Sequence, residues 1–201
     1  MKTRNRLRTF LRQPRKFVQL ASAKKIIIGS SKISYPGWVS TEKGFLDVTD
    51  RGDFERYWKP DSRLAFLAEH VLEHLTANGA RRTCANCFKF LKRGGWLRIA
   101  VPDGFHPEPA YIELVKPGGT GVGAYDHKIL YNYKSLGSIL EELGFSVKLL
   151  EYWDESGRFH FREWDSKDGH ISRSKRYDER NRDGELKYTS LIIDAIKPEV
   201  M

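Results

Sequence analysis

Residues 62 to 103 constrain the fold more than any other stretch of this chain. Leu64 to Ala68 is an unbroken apolar run, the pattern of a strand buried on both faces, and it leads through Glu69 and His70 into VLEHL. Cys84, Cys87, Phe88 and Leu91 then fall at helical spacing across residues 80 to 92, and Gly94 and Gly95 stop that helix. Trp96 to Val101 is a second buried strand, ending at Asp103. Strand, helix and strand in this order form a β-α-β unit, whose strand ends line a ligand crevice. His70 and Asp103 therefore become candidate crevice residues before anything else is known.

The flanking segments extend the unit. Ile26, Ile27 and Ile28 form a short β-branched run ended by Gly29, Ser30 and Ser31, which predicts a first strand and its exit loop. Pro36 and Gly37 precede a second predicted strand, Trp38 to Glu42, and Phe45 to Val48 is read as a third. Residues 49 to 61 are polar and turn-rich. Downstream, Leu136, Ile139, Leu140 and Leu143 share one helical face capped by Gly144. Phe145 to Tyr152 and Tyr188 to Ile196 are the last two predicted strands. Between them, residues 155 to 187 carry nine basic and eight acidic side chains, a nearly neutral segment expected to be solvated.

Charge separates an arm from the body. Residues 1 to 25 hold nine basic side chains and no acid, which equals the whole formal charge of +9, so the rest of the chain is neutral. Any attraction to nucleic acid or an anionic membrane surface is thus expected only through a basic arm, residues 1 to 24, with residues 25 to 201 forming one domain. The arm lacks a continuous apolar core, so no secretory signal is expected; its arginines and spaced apolar residues leave organellar targeting open. Two cysteines imply no disulfide framework and fit a reducing, cytoplasmic setting. Their C-x-x-C spacing on an apolar helical face points to packing rather than metal.

VLEHL after the buried strand, and LKRGG before the next, occur in the order in which similar segments recur in class I S-adenosylmethionine (SAM) dependent methyltransferases. The chain resembles the compact type 11-like members of that family, in which a short glycine loop runs into a P-G-W segment like Pro36, Gly37 and Trp38. The resemblance implies a Rossmann-like, doubly wound α/β fold: a mostly parallel seven-stranded sheet with a reversed last strand. It implies SAM as cofactor, with Gly29, Ser30 and Ser31 as its glycine loop, Glu42 as the ribose-binding acid, Asp47 beside adenine and Glu69 as a further cofactor-binding residue that could also orient His70. His70 then faces the methyl donor, and a histidine there can act as general base at neutral pH. Asp103 and His127, the latter in a glycine-rich loop with Asp126, complete the catalytic candidates. The family signature for methylating base amino groups is absent after the fourth strand, so a small-molecule acceptor with a hydroxyl or other nucleophile is expected.

Two other readings stay open. The single glycine at residue 29 fits a catalytically silent binding module of the same fold. Residues 70 to 74 also spell H-x-x-E-H, a zinc-hydrolase pattern that needs both histidines on one helix. His70 is read instead at a strand-to-helix junction, and no metal ligand is assigned. Oligomeric state is not readable from the chain.

Overall fold

In a computed structural model, which describes residues 14–30 and 33–200, the chain folds around one twisted sheet. Its strands are β1 (Lys25–Ile27), β2 (Trp38–Ser40), β3 (Arg63–Glu69), β4 (Leu91–Pro102), β5 (Ser146–Trp153), β6 (Phe159–Phe161) and β7 (Ser190–Ile196). They lie in the order β2-β1-β3-β4-β7-β5-β6. β2, β1, β3 and β4 run parallel, whereas β7 is antiparallel to both β4 and β5, and β6 pairs antiparallel with β5. The expected seven-stranded α/β sheet with a reversed last strand is what forms.

The helices are α1 (Pro14–Ser22), α2 (Arg51–Tyr57), α3 (Ala77–Phe90), α4 (Pro109–Val115) and α5 (Tyr133–Glu142). Each begins for a local reason. Thr76, Asp50 and Asn132 accept hydrogen bonds from backbone N–H groups of the first turns of α3, α2 and α5, and Ser135 completes a capping box with Asn132. One face of the sheet is covered by α1, α2, α3 and α5 through Leu20, Phe54, Cys84, Cys87, Phe90, Leu136 and Leu140, all fully buried. At about 1.5–3 kcal/mol for each large apolar side chain, this layer is the main source of stability. Burial pushes the Cys84 thiol up to about 12 and Cys87 well above its ordinary range, so both are inert packing groups, as their spacing suggested.

The opposite face is covered differently. Among the described residues, its covering side chains come from irregular chain: Ile33, Tyr35, Trp164, Ile171 and Tyr177, packed on Ile27, Leu67, Ala100, Leu150 and Ile192. Residues 155 to 187 are therefore a structural cover rather than the solvated segment expected. Buried polar staples hold it. Arg98 pairs with Asp194 at 2.7 Å and donates to the carbonyls of Asp165 and Gly169, and Glu151 accepts from Trp164 Nε1 and the Lys175 N–H.

Three local expectations change. Phe45 to Val48 is not a strand: Asp47 accepts from the N–H and hydroxyl of Thr49, and the chain turns there. Gly94 and Gly95 do not end α3, which stops at Phe90; they sit inside β4 at a register shift, where a Cβ on Gly95 would meet the Leu64 carbonyl at 2.8 Å. The arm's later half is helical. Pro14–Ser22 is α1, and Trp58 Nε1 donates to the Leu20 carbonyl at 2.7 Å. Residues 1 to 13 of the arm lie outside the described residues.

Candidate active site

β1 and β3 end side by side, and their exits form the floor of a crevice in two lobes. The larger has a volume of about 770 Å³ and is walled by Gly29, Ser30, Glu69, His70, His74, Val115, Val122, His127, Arg173, Arg180 and Tyr188 among others. The smaller, about 290 Å³, is walled by Lys43, Leu46, Asp47, Val48, Thr49, Val71 and Leu75. Gly29, His70 and His74 border both. Gly29 has φ +78, and a Cβ there would lie 2.6 Å from Val71 Cγ2. Its glycine is thus required by the packing of the two strand exits as well as by the turn.

His70 itself adopts φ +53, a conformation rare outside glycine, asparagine and aspartate. The turn is held by its N–H, which donates to the Ala100 carbonyl at 2.8 Å. Its ring is nearly enclosed, with Nε2 3.2 Å from Ser190 Oγ and Nδ1 2.8 Å from Glu73 Oε1. That order of groups resembles a hydrolase triad, but Ser190 is fully buried and borders neither lobe. Leu72–His74 is a single 3-10 turn. The two histidines of H-x-x-E-H therefore do not share a helical face, and the geometry of the zinc-hydrolase reading is absent.

Glu73 is the residue whose importance the sequence concealed. It is fully buried, and neither carboxylate oxygen accepts an aligned hydrogen bond; the His70 approach is close but oblique. Burial pushes its pKa up, but His70, its own backbone N–H and His74 pull harder together, so the net direction is down and the carboxylate is held ionised. Its carbonyl accepts from the Lys128 N–H at 2.6 Å, tying the turn to the loop that carries His127.

The other predicted residues divide. His127 borders the larger lobe, with Nδ1 2.7 Å from the Val115 carbonyl. Asp126 is not its partner: it is exposed, pairs with Lys128 and faces His74 Nδ1 at 3.4 Å. The loop's glycines fold it back on α4, since a Cβ on Gly119 or Gly121 would meet backbone carbonyls of residues 113 and 114 at 2.6 and 2.5 Å. Glu69 borders the lobe; Oε1 accepts from the Arg173 N–H, while Oε2 is buried without a partner. Asp47 borders the smaller lobe and Ser30 the larger. Ser31 lies outside the described residues.

Two candidates fall outside the crevice. Asp103 is fully buried and borders neither lobe; its two oxygens accept from the Phe105 and Trp153 N–H groups at 3.0 and 2.8 Å. Burial outweighs those bonds and lifts its pKa to about 6. Its place at a strand end made it look catalytic, yet its bonds hold the β4 exit to β5. Glu42 is exposed and borders neither lobe, and its charge acts on Lys16 of α1. Arg173 and Arg180 belong to the segment expected to be solvated, but both border the larger lobe beside Tyr188, with the Arg180 guanidinium 3.5 Å from that ring's centre.

No protein-family model and no curated protein matches this chain. Solved structures do. The methyltransferase of a Haloferax volcanii complex with the Trm112 activator aligns over 98% of this chain and 93% of its own, at 9% identity and a TM-score of 0.50. A SAM-dependent methyltransferase from Archaeoglobus fulgidus covers 95% of this chain and 93% of its own, at 14% identity and a TM-score of 0.49. One from Thermotoga maritima covers 94% and 93%, at 14% identity and a TM-score of 0.47. At 9% identity the likeness to the Haloferax volcanii structure speaks for architecture alone, and it agrees with the parallel β2-β1-β3-β4 half and the reversed β7. The chain has the fold of the class I SAM-dependent methyltransferases.

Proposed function

We propose that this chain transfers a methyl group from SAM to a hydroxyl or other nucleophile of a small-molecule acceptor. The observation that carries the reading is the two-lobed crevice at the carboxyl ends of β1 and β3, the place where open α/β sheets bind ligands. The residues present fit the cofactor at most points. Leu46, Val48 and Asp47 give the smaller lobe apolar walls and one carboxylate, suited to a base and its sugar. The buried, unpartnered Glu69 Oε2 suits an ammonium group, and Arg173 and Arg180 suit a carboxylate. Glu42 does not fit, because it borders neither lobe.

When bound, SAM supplies a methyl carbon already activated by its sulfonium. The protein's share is alignment and removal of a proton. That His70 borders both lobes supports a role for its imidazole as the base, with Nε2 exchanging its contact to Ser190 Oγ for the acceptor's proton and the Glu73 carboxylate beside Nδ1 stabilising the imidazolium that results. The larger lobe has room for a small acceptor next to the cofactor. A nucleic-acid or membrane partner would engage the basic arm instead, and a cytoplasmic location fits the free, buried cysteines.

A silent binding module is the second reading. It is favoured by the displaced Glu42 and by a Gly29 that the turn and the Val71 contact already require without a ligand. Calorimetry with SAM and its demethylated product, joined to methyl incorporation from labelled SAM into small-molecule extracts, separates the two. Binding with turnover supports the enzyme; binding without turnover supports the module; no binding of either nucleoside removes both.

A further inference from the structure

Glu73, His74 and His127 converge at one point on the crevice wall, with one ligand atom from each lying within 4.8 Å of the others. Two of the three are buried, and Glu73 is fully so, with both oxygens lacking an aligned donor. A buried carboxylate whose oxygens lack donors is a place where a cation can be held. His70 approaches from one side only, which leaves the second oxygen unclaimed.

The two imidazoles are arranged as ligands are. A carbonyl can only accept, so His127 Nδ1 donates to Val115, and a neutral ring then keeps its lone pair on Nε2. His74 has its own Nδ1 turned to Asp126. Each ring is thus oriented through one nitrogen by an oxygen acceptor while the other is left over, the outer-shell arrangement common to metal-binding histidines. Their centroids are 4.8 Å apart in an edge-to-face contact, and both border the larger lobe.

We propose that Glu73, His74 and His127 bind a divalent first-row transition ion at the crevice wall. Two imidazoles and one carboxylate suit Zn2+, Mn2+ or Fe2+ better than Mg2+, which favours an all-oxygen shell. Metal–ligand bonds of about 2.0–2.2 Å require the three atoms to close in slightly. His74 can provide that movement, because its side chain is about a third exposed. The positions not filled by protein face the lobe, where water or a ligand oxygen completes the shell. The site uses neither nitrogen of His70, so it is not the H-x-x-E-H pair. It also stands apart from the cofactor reading, since metal binding and SAM binding can each fail without the other.

The test is calorimetric titration of chelator-treated protein with Mn2+ or Zn2+ alone, paired with the visible absorption of added Co2+. One ion per chain is expected, with micromolar affinity and a Co2+ spectrum of mixed nitrogen and oxygen ligation. His74→Asn and Glu73→Gln should each weaken binding by ~100-fold, the scale on which such shells respond to loss of a group. His160→Gln, which removes the remote surface pair with Asp154, should bind as the unaltered chain does. Because His74 is part-exposed, its substitution leaves the fold intact and keeps the test decisive if Glu73→Gln is unstable. Stoichiometric binding that survives His74→Asn, loss of binding with His160→Gln, or no binding by the unaltered chain overturns the assignment.

Discussion

The exits of β3 and β4 carry the same kinds of side chain and use them in opposite ways. At the β4 exit, Asp103 spends both oxygens on backbone N–H groups, and His106 stacks on Tyr111 at 3.8 Å while accepting from the Glu108 N–H. Apart from His106 Nε2, that exit is satisfied. At the β3 exit, Glu73 keeps two buried oxygens and Glu69 one without an aligned donor, and His70 holds a left-handed backbone. A carboxylate and a histidine at a strand end thus do not distinguish scaffold from site. Where their lone pairs and protons are spent does.

Substitutions can break this contrast. The largest effect is expected from His70→Ala, which on the proposed reading lowers the methyl-transfer rate ~100-fold or more while SAM affinity measured by calorimetry changes little. Transfer at an unchanged rate would remove His70 as base. Asp103→Ala should do the reverse. Two buried N–H groups lose their acceptor, costing about 3 kcal/mol of stability in denaturant unfolding, with ligand affinity of the folded fraction retained.

A pH series sharpens the same contrast. Folding raises the Asp103 pKa from 3.8 to about 6, so its contribution to stability is fully present below pH 4 and is lost as pH rises through 6. In full that is about 3 kcal/mol. His106 works the other way: burial holds its pKa down at about 4, so its contribution is present above pH 6.5 and lost as pH falls. Comparing Asp103→Asn with the unaltered chain at pH 4.5 and 7.5 isolates the first effect, and an equal stability difference at the two pH values would refute it. Gly29→Ala should cost ~1–2 kcal/mol through its positive φ and the Val71 contact, as a lower melting temperature. The smallest effect is expected from Glu42→Ala, with SAM affinity within about twofold of the unaltered chain, well inside one factor of ten; a tenfold loss would return Glu42 to the site.

Much of the scaffold was legible in the chain because its signals are local. The apolar run at Leu64 to Ala68, the helical spacing of Cys84, Cys87 and Phe88, and the glycine after Leu143 each report on their own neighbours. What stayed hidden depends on partners far along the chain. Residues 155 to 187 look like surface by composition, yet Trp164 and Ile171 are buried against strands, and Arg98 reaches the segment across 67 and 71 positions. Helix α2 escaped notice within a polar region, although Asp50 as cap with Phe54 and Tyr57 one turn apart was a usable signal. At the site, His70, His127 and Asp47 border the crevice, whereas the burial of Glu73 has no sequence signature.

The reversed strand has a consequence for how the protein is made. β7 lies between β4 and β5, yet Ser190–Ile196 leaves the ribosome after both of them. Until it arrives, β4 and β5 each present an open hydrogen-bonding edge rich in leucine, isoleucine and valine, the kind of edge that recruits other chains. Nascent chains stalled or truncated before residue 190 are therefore the species most prone to aggregate, and a chaperone that shields those two edges would act on synthesis rather than on the finished fold.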